Sequence, residues 1–151
     1  MTPELLRVCK LLNERGIAYL VIGAYACALH GYTRATNDID LLVEKSEVNL
    51  EKIIAFIKSL YPHLDINLTP EEIINDVVIK ILDEPELDIS IRAWEVEFEQ
   101  AIKASESAEI DGVKIPFLGI DDLIRSKSTL REIDQWDIKI LLNLKKKRND
   151  S

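Results

Sequence analysis

Asp38 and Asp40 stand one residue apart in the run Asp38-Ile39-Asp40-Leu41-Leu42-Val43, which reads as a β-strand. In a strand, residues two apart point to the same side, so the two carboxylates project together. Unpaired, such neighbours repel, which costs stability or raises one pKa. A divalent cation that prefers hard oxygen ligands, Mg²⁺ above all, offsets both charges. Asp88 lies in a second alternating run, where Leu87, Ile89 and Ile91 face one side and Asp88 and Ser90 the other. It is placed to add a third carboxylate from a neighbouring strand. Upstream, Gly23 ends an apolar run where a helix begins. Without a Cβ there, backbone N–H groups can approach an anion, and a helix start favours phosphate. A metal clamp beside an anion cradle is what phosphoryl or nucleotidyl transfer requires, with two metal ions orienting the attacking and leaving oxygens.

These residues need elements to hold them. Thr2-Pro3-Glu4 opens a helix with a Thr cap, a proline at the first helical position and an acid in the first turn. Leu5, Val8, Cys9 and Leu12 mark its apolar face, and Gly16 its stop. Ile17–Ile22 predicts a buried strand, Ala24–His30 a short helix ended by Gly31, and Asp38–Val43 a strand that partners the first. Ser46 caps a helix over Glu47–Leu60. Val77–Leu82 and Leu87–Ile91 predict further strands, and Glu95–Ala104 a helix. Asp111-Gly112 predicts the turn of a hairpin between Ala108–Ile110 and Val113–Ile115, with Asp121–Ser128 and Leu130–Lys147 as closing helices. The order predicts an α+β fold, a mixed twisted sheet backed by helices with a short C-terminal helical extension.

At 151 residues, with no repeat, low-complexity tract or linker, the expectation is one domain, with a core over about residues 17–92 and hairpin and helices over about 108–147. An apolar share of 47% and a charged share of 30% describe an ordinary globule and argue against disorder. No apolar stretch reaches membrane-spanning length and no basic-then-apolar leader opens the chain, so a cytoplasmic protein without a membrane partner is expected. Cys9 and Cys27 fall inside apolar helical patterns and are expected as buried thiols. A net charge of −8 argues against nonspecific sheathing of nucleic acid. Two Mg²⁺ ions on three acids would reverse the local charge, so an RNA end stays open as a substrate. Lys145, Lys146, Lys147 and Arg148 close the last helix, where cations suit the helix dipole. His30 is expected as a packed or capping residue, and Trp94 and Trp136 as core or interface anchors. Asp121, Asp122, Asp134 and Asp137 are expected as caps, first-turn acids or partners of neighbouring bases.

The stretch Val21 to Val43, a glycine-led strand-to-helix turn with Asp-x-Asp about fifteen residues on, resembles the DNA polymerase β-type nucleotidyltransferase superfamily. Within it, the nearest likeness is to small bacterial and archaeal proteins related to the AbiEii toxins and the minimal nucleotidyltransferases. The segment Ile115 to Leu141 resembles that group's closing segment. The resemblance implies that Asp38 and Asp40 bind metal and that Asp88 is the third acid, a general base for the incoming hydroxyl. It implies that Gly23 lets a triphosphate approach, while Ala24 stands where the family has Gly or Ser. Arg34, just before the acid pair, is placed to meet a phosphate. Lys127 and Arg131, four apart on one expected helical face, resemble the closing segment's basic positions and are expected to contact triphosphate or acceptor. The implied cofactors are two Mg²⁺ ions, with ATP or another NTP as substrate. The implied acceptor is a hydroxyl on an RNA 3′ end, a small molecule or a protein. The alternative is a catalytically degenerate binding module, one part of a toxin–antitoxin or other protein pair, and a homodimer is compatible with either. A glycosyltransferase-like use of Asp-x-Asp would need donor and acceptor subdomains for which 151 residues leave little room.

Overall fold

A computed structural model describes residues 2–150. Helix α1 (Pro3–Glu14) begins at the expected cap, with Thr2 Oγ1 accepting from the Leu5 N–H. Strand β1 (Tyr19–Ile22) leads into α2 (Gly23–Leu29), and β2 (Asp38–Val43) into α3 (Glu47–Leu60). Asn49 ties α3 to the strands: its side chain is hydrogen-bonded to both backbone groups of Ala18 and to the Glu44 carbonyl. Then come α4 (Pro70–Asp76), β3 (Val78–Ile81) and β4 (Glu86–Ser90), followed by the hairpin β5 (Arg92–Ala93) and β6 (Val96–Glu97). A short α5 (Phe98–Ala101) and a 3₁₀ turn (Ile102–Ala104) lead to the hairpin β7 (Glu106–Ile110) and β8 (Val113–Phe117), then α6 (Ile120–Ser126) and α7 (Glu132–Asn149).

Six strands form one mixed sheet in the order β3-β4-β2-β1-β8-β7. Strand β2 runs antiparallel to β1 and parallel to β4, so both carboxylate-bearing strands sit side by side in the middle. Strand β1 is buried along its whole length because helices cover both faces. Tyr19 and Val21 join the core under α1, α3 and α4. Leu20 and Ile22 join a second core with Ala26, Cys27, Val96, Leu123 and Leu141. Leu42 also belongs to that second core, so Asp38 and Asp40, four and two residues earlier on the same strand face, lie on the side covered by α2, the β5–β6 hairpin and the C-terminal helices. That cover stops short of the acids, which leaves them at the mouth of a cleft. Cys9 and Cys27 are buried free thiols. No helix among the described residues is long and apolar enough to cross a membrane.

The structure departs from expectation in places with clear causes. The helix expected over Glu95–Ala104 is instead a strand followed by one helical turn and a 3₁₀ turn, because Val96 is drawn fully into the second core and pairs with Ala93. Helix α4 was not anticipated, although Thr69-Pro70-Glu71-Glu72 repeats the cap logic of α1, and Thr69 Oγ1 accepts from the Glu72 N–H. Strand β3 begins one residue late because Val77 takes a left-handed φ of 65°. The Asp111-Gly112 turn forms as expected, with φ of 51° and 78°. Trp136 is not a core anchor: it lies on the outer face of α7, 57% exposed.

Candidate functional site

Parallel pairing of β2 and β4 sets Asp40 directly across from Asp88, with Asp38 across from Glu86. One carboxylate oxygen from each of Asp38, Asp40 and Asp88 lies within 4.8 Å of the others. Burial, then a hydrogen bond to Asp88, then the charges of Asp88 and Asp38 push the Asp40 pKa up to about 7, while Lys80 pulls it back only in part. Lys80, across β3 from Asp88, places its Nζ 2.9 Å from Asp88 Oδ2, and that contact raises the lysine's own pKa. One exposed lysine against three acids leaves excess negative charge. An all-carboxylate donor set of this kind fits a hard divalent cation such as Mg²⁺.

Gly23 opens α2 at a φ of 67°, a conformation that favours glycine. A Cβ at this position would stand 2.1 Å from Asp40 Oδ2 and 2.9 Å from its Cγ. The missing side chain is therefore the space that Asp40 occupies. Ala24 is buried beside it, and its methyl offers no hydroxyl to a ligand.

The cleft over the acids measures about 530 Å³ and is lined also by Arg34, Thr36, Lys80, Arg92, Ser126, Lys127, Thr129 and Arg131. All three basic residues expected from the sequence reach it. Lys127 and Arg131, however, do not share a helix face. Lys127 ends α6 and Arg131 precedes α7, because the Thr129 hydroxyl takes the Arg131 N–H and breaks the helix. They converge through α7 instead. Asp137 Oδ2 accepts from Lys127 Nζ at 2.8 Å and from Arg34 Nη2 at 3.1 Å. Asp134 accepts from Thr129 Oγ1 at 2.6 Å and pairs with Arg131 at 3.5 Å. Asp134 and Asp137 are thus partners of neighbouring bases, as expected. His30 ends α2 as a packed residue, its Nε2 2.8 Å from the Leu118 carbonyl oxygen.

Trp94 is the departure with most bearing on the site. It is no core anchor but 52% exposed and part of the cleft wall. Glu95 beside it and Arg92 two residues before it are charged, and that was the signal in the sequence. Lys80 was also missed. The alternation of β3 puts Val78 and Lys80 on the cleft side, and both line the cleft.

No protein-family profile matches the sequence, and no curated relative does. Among solved structures, the chain resembles the lincosamide antibiotic adenylyltransferase LnuA in its lincomycin-bound form, at a TM-score of 0.64 and 17% identity over 95% of this chain and 98% of that one. It also resembles an antigenic nucleotidyltransferase-like protein from Paracoccidioides brasiliensis, at a TM-score of 0.60 and 16% identity over 95% of this chain and 77% of that one. The fold is thus the nucleotidyltransferase type.

Proposed function

We propose that this protein is a Mg²⁺-dependent nucleotidyltransferase of the small prokaryotic kind related to the AbiEii toxins, transferring AMP from ATP to a hydroxyl acceptor and releasing pyrophosphate. The observation that carries the reading is the convergence of Asp38, Asp40 and Asp88 at the mouth of one cleft, with cations held around it. Asp38, Asp40 and Asp88 would hold two Mg²⁺ ions, which when bound neutralise phosphate charge and align the attacking and leaving oxygens. Asp88 accepts the proton of the acceptor hydroxyl, whose oxygen then bonds to the α-phosphorus as the bond to the bridging oxygen breaks. Arg34, Lys127 and Arg131 bind the triphosphate and stabilise the departing pyrophosphate. Gly23 leaves Asp40 its working position, and Ala24 offers a backbone N–H alone. The adenylyl transfer named for the lincosamide enzyme of similar fold favours ATP as donor and a small-molecule hydroxyl as acceptor.

Titration calorimetry of Mg²⁺–ATP into the wild type, Asp38→Asn and Asp40→Asn tests the reading. Binding to the wild type, weakened about tenfold or more in each variant, is the expected result. A wild type that does not bind, or variants that bind equally well, overturn it.

A further inference from the structure

Trp94 forms the turn of the β5–β6 hairpin with a φ of 58°, where an L side chain sits at a steric cost. The two-residue turn between Ala93 and Val96 asks for that backbone, so an indole stands where glycine is usual. The side chain is 52% exposed, and among the described residues its ring has no aromatic partner. Trp94 lines the same cleft as the acids, together with Val78 of β3 and Ala93 of β5, two further apolar residues. Arg34, Lys127 and Arg131 come to that cleft from the loop before β2 and from the break between α6 and α7. One cleft therefore brings an aromatic ring and apolar side chains together with cations and the three acids. A nucleoside triphosphate has the same two halves, a flat ring and a run of negative charge. The cleft, about 530 Å³, is of a size that holds one such ligand.

We propose that Trp94 is the stacking platform for the nucleobase of the donor nucleotide, an assignment that rests on the nucleotidyltransferase reading above. Every base has a π-face, so the platform accepts all of them and rewards ring size. The ring's own contribution is therefore larger for a purine than for a pyrimidine, and any choice between ATP and GTP is made by other contacts.

The protein contains two tryptophans, so a Trp136→Phe variant leaves Trp94 as the sole indole reporter. Its fluorescence is titrated, with Mg²⁺ present, against a non-hydrolysable ATP analogue and against tripolyphosphate, which carries the charge without the base. The analogue should quench Trp94 and tripolyphosphate should not. In calorimetry, Trp94→Phe should keep the analogue's affinity within about threefold, while Trp94→Ala and Trp94→Gly lose roughly tenfold or more. The glycine variant also relieves the backbone, which separates loss of the ring from strain. Tripolyphosphate affinity should be the same in all of them. Unchanged affinity for the analogue in Trp94→Ala overturns the inference, including the case in which transfer slows because the ring serves the acceptor. A parallel loss of tripolyphosphate binding also overturns it, by tying Trp94 to the shape of the cleft instead of the base. Wild-type protein that binds neither ligand overturns the nucleotidyltransferase reading itself. Wild-type protein that binds both, with Trp94→Ala unaffected, overturns only this inference.

Discussion

Asp40 and Asp137 are carboxylates beside the same cleft, yet they stand in surroundings of opposite charge. Asp137 has no solvent exposure and shares one oxygen between Lys127 and Arg34, so its charge is matched by cations already in the fold. Asp40 has two further acids as neighbours, and among the described residues the ion pair these acids make is the one between Asp88 and the exposed Lys80. The matched cluster is a strut that fixes two cations at the cleft. The unmatched one is half of an ion-binding device, held together by strand pairing against its own repulsion. Residue type does not separate these roles; the count of neighbouring charges does.

Neutralising each acid in turn gives the largest expected contrast, because the two changes should move stability in opposite directions. Asp137→Asn strands Lys127, whose side chain is 6% exposed, and removes the anion that Arg34 faces. Breaking one side of a buried pair costs about 3–5 kcal/mol, and the partial exposure of Arg34 favours the lower figure. For a domain of this size that is a fall in Tm of roughly 10 °C. Asp40→Asn, in EDTA at pH 8, removes like-charge repulsion and should raise Tm. Thermal denaturation of the two variants settles it, and shifts of the same sign would end the contrast.

A smaller effect is expected at Gly23, whose absent side chain is the space for Asp40. Gly23→Ala forces the Asp40 carboxylate away from a Cβ 2.1 Å from its oxygen and adds the cost of a φ of 67°. Together these should cost about 1–3 kcal/mol and weaken Mg²⁺ binding. The collision belongs to Asp40, so Gly23→Ala should be milder in an Asp40→Ala background. A double-mutant cycle that showed no coupling would place the whole cost in the backbone.

The unmatched cluster was the more legible of the two in the sequence. Alternation in Asp38–Val43 and Leu87–Ile91 placed all three acids on one strand face, and the parallel register of β2 and β4 needed only those two strands to be neighbours. The matched cluster was not legible as a unit. Asp137, Lys127 and Arg34 lie up to about a hundred residues apart, and no local period links a loop to a helix that closes the fold. Lys127 and Arg131 were legible as cations but not as ends of two helices, because the break depends on where the Thr129 hydroxyl turns. Trp94 stays out of the core although aromatic residues are mostly buried, because it sits in a left-handed hairpin turn beside the charged Glu95. Local capping chemistry announced α1 and α3, and the Thr69-Pro70 start of α4, which was not anticipated, has the same form as Thr2-Pro3.

The smallest expected effect concerns pH, and it follows from Asp40 alone. Its pKa rises from an ordinary carboxylate value to about 7, chiefly through burial and the hydrogen bond to Asp88. Between about pH 4 and pH 7 the folded protein therefore holds a proton that the unfolded chain has released, so this group makes metal-free stability fall as pH rises through that window. Above pH 7 the carboxylate is ionised in both states and its full repulsive cost remains. Mg²⁺ binds the ionised form and must displace the proton below pH 7, so its affinity should be about tenfold weaker at pH 6 than at pH 8. The rise in Tm on adding a fixed, near-Kd concentration of Mg²⁺ should accordingly be larger at pH 8. Asp137→Asn should keep that pH difference even on a lowered baseline, whereas Asp40→Asn should abolish it. Equal Mg²⁺-induced shifts at the two pH values in the wild type would mean that Asp40 meets the ion already ionised, and the charge imbalance that distinguishes it from Asp137 would not reach its proton.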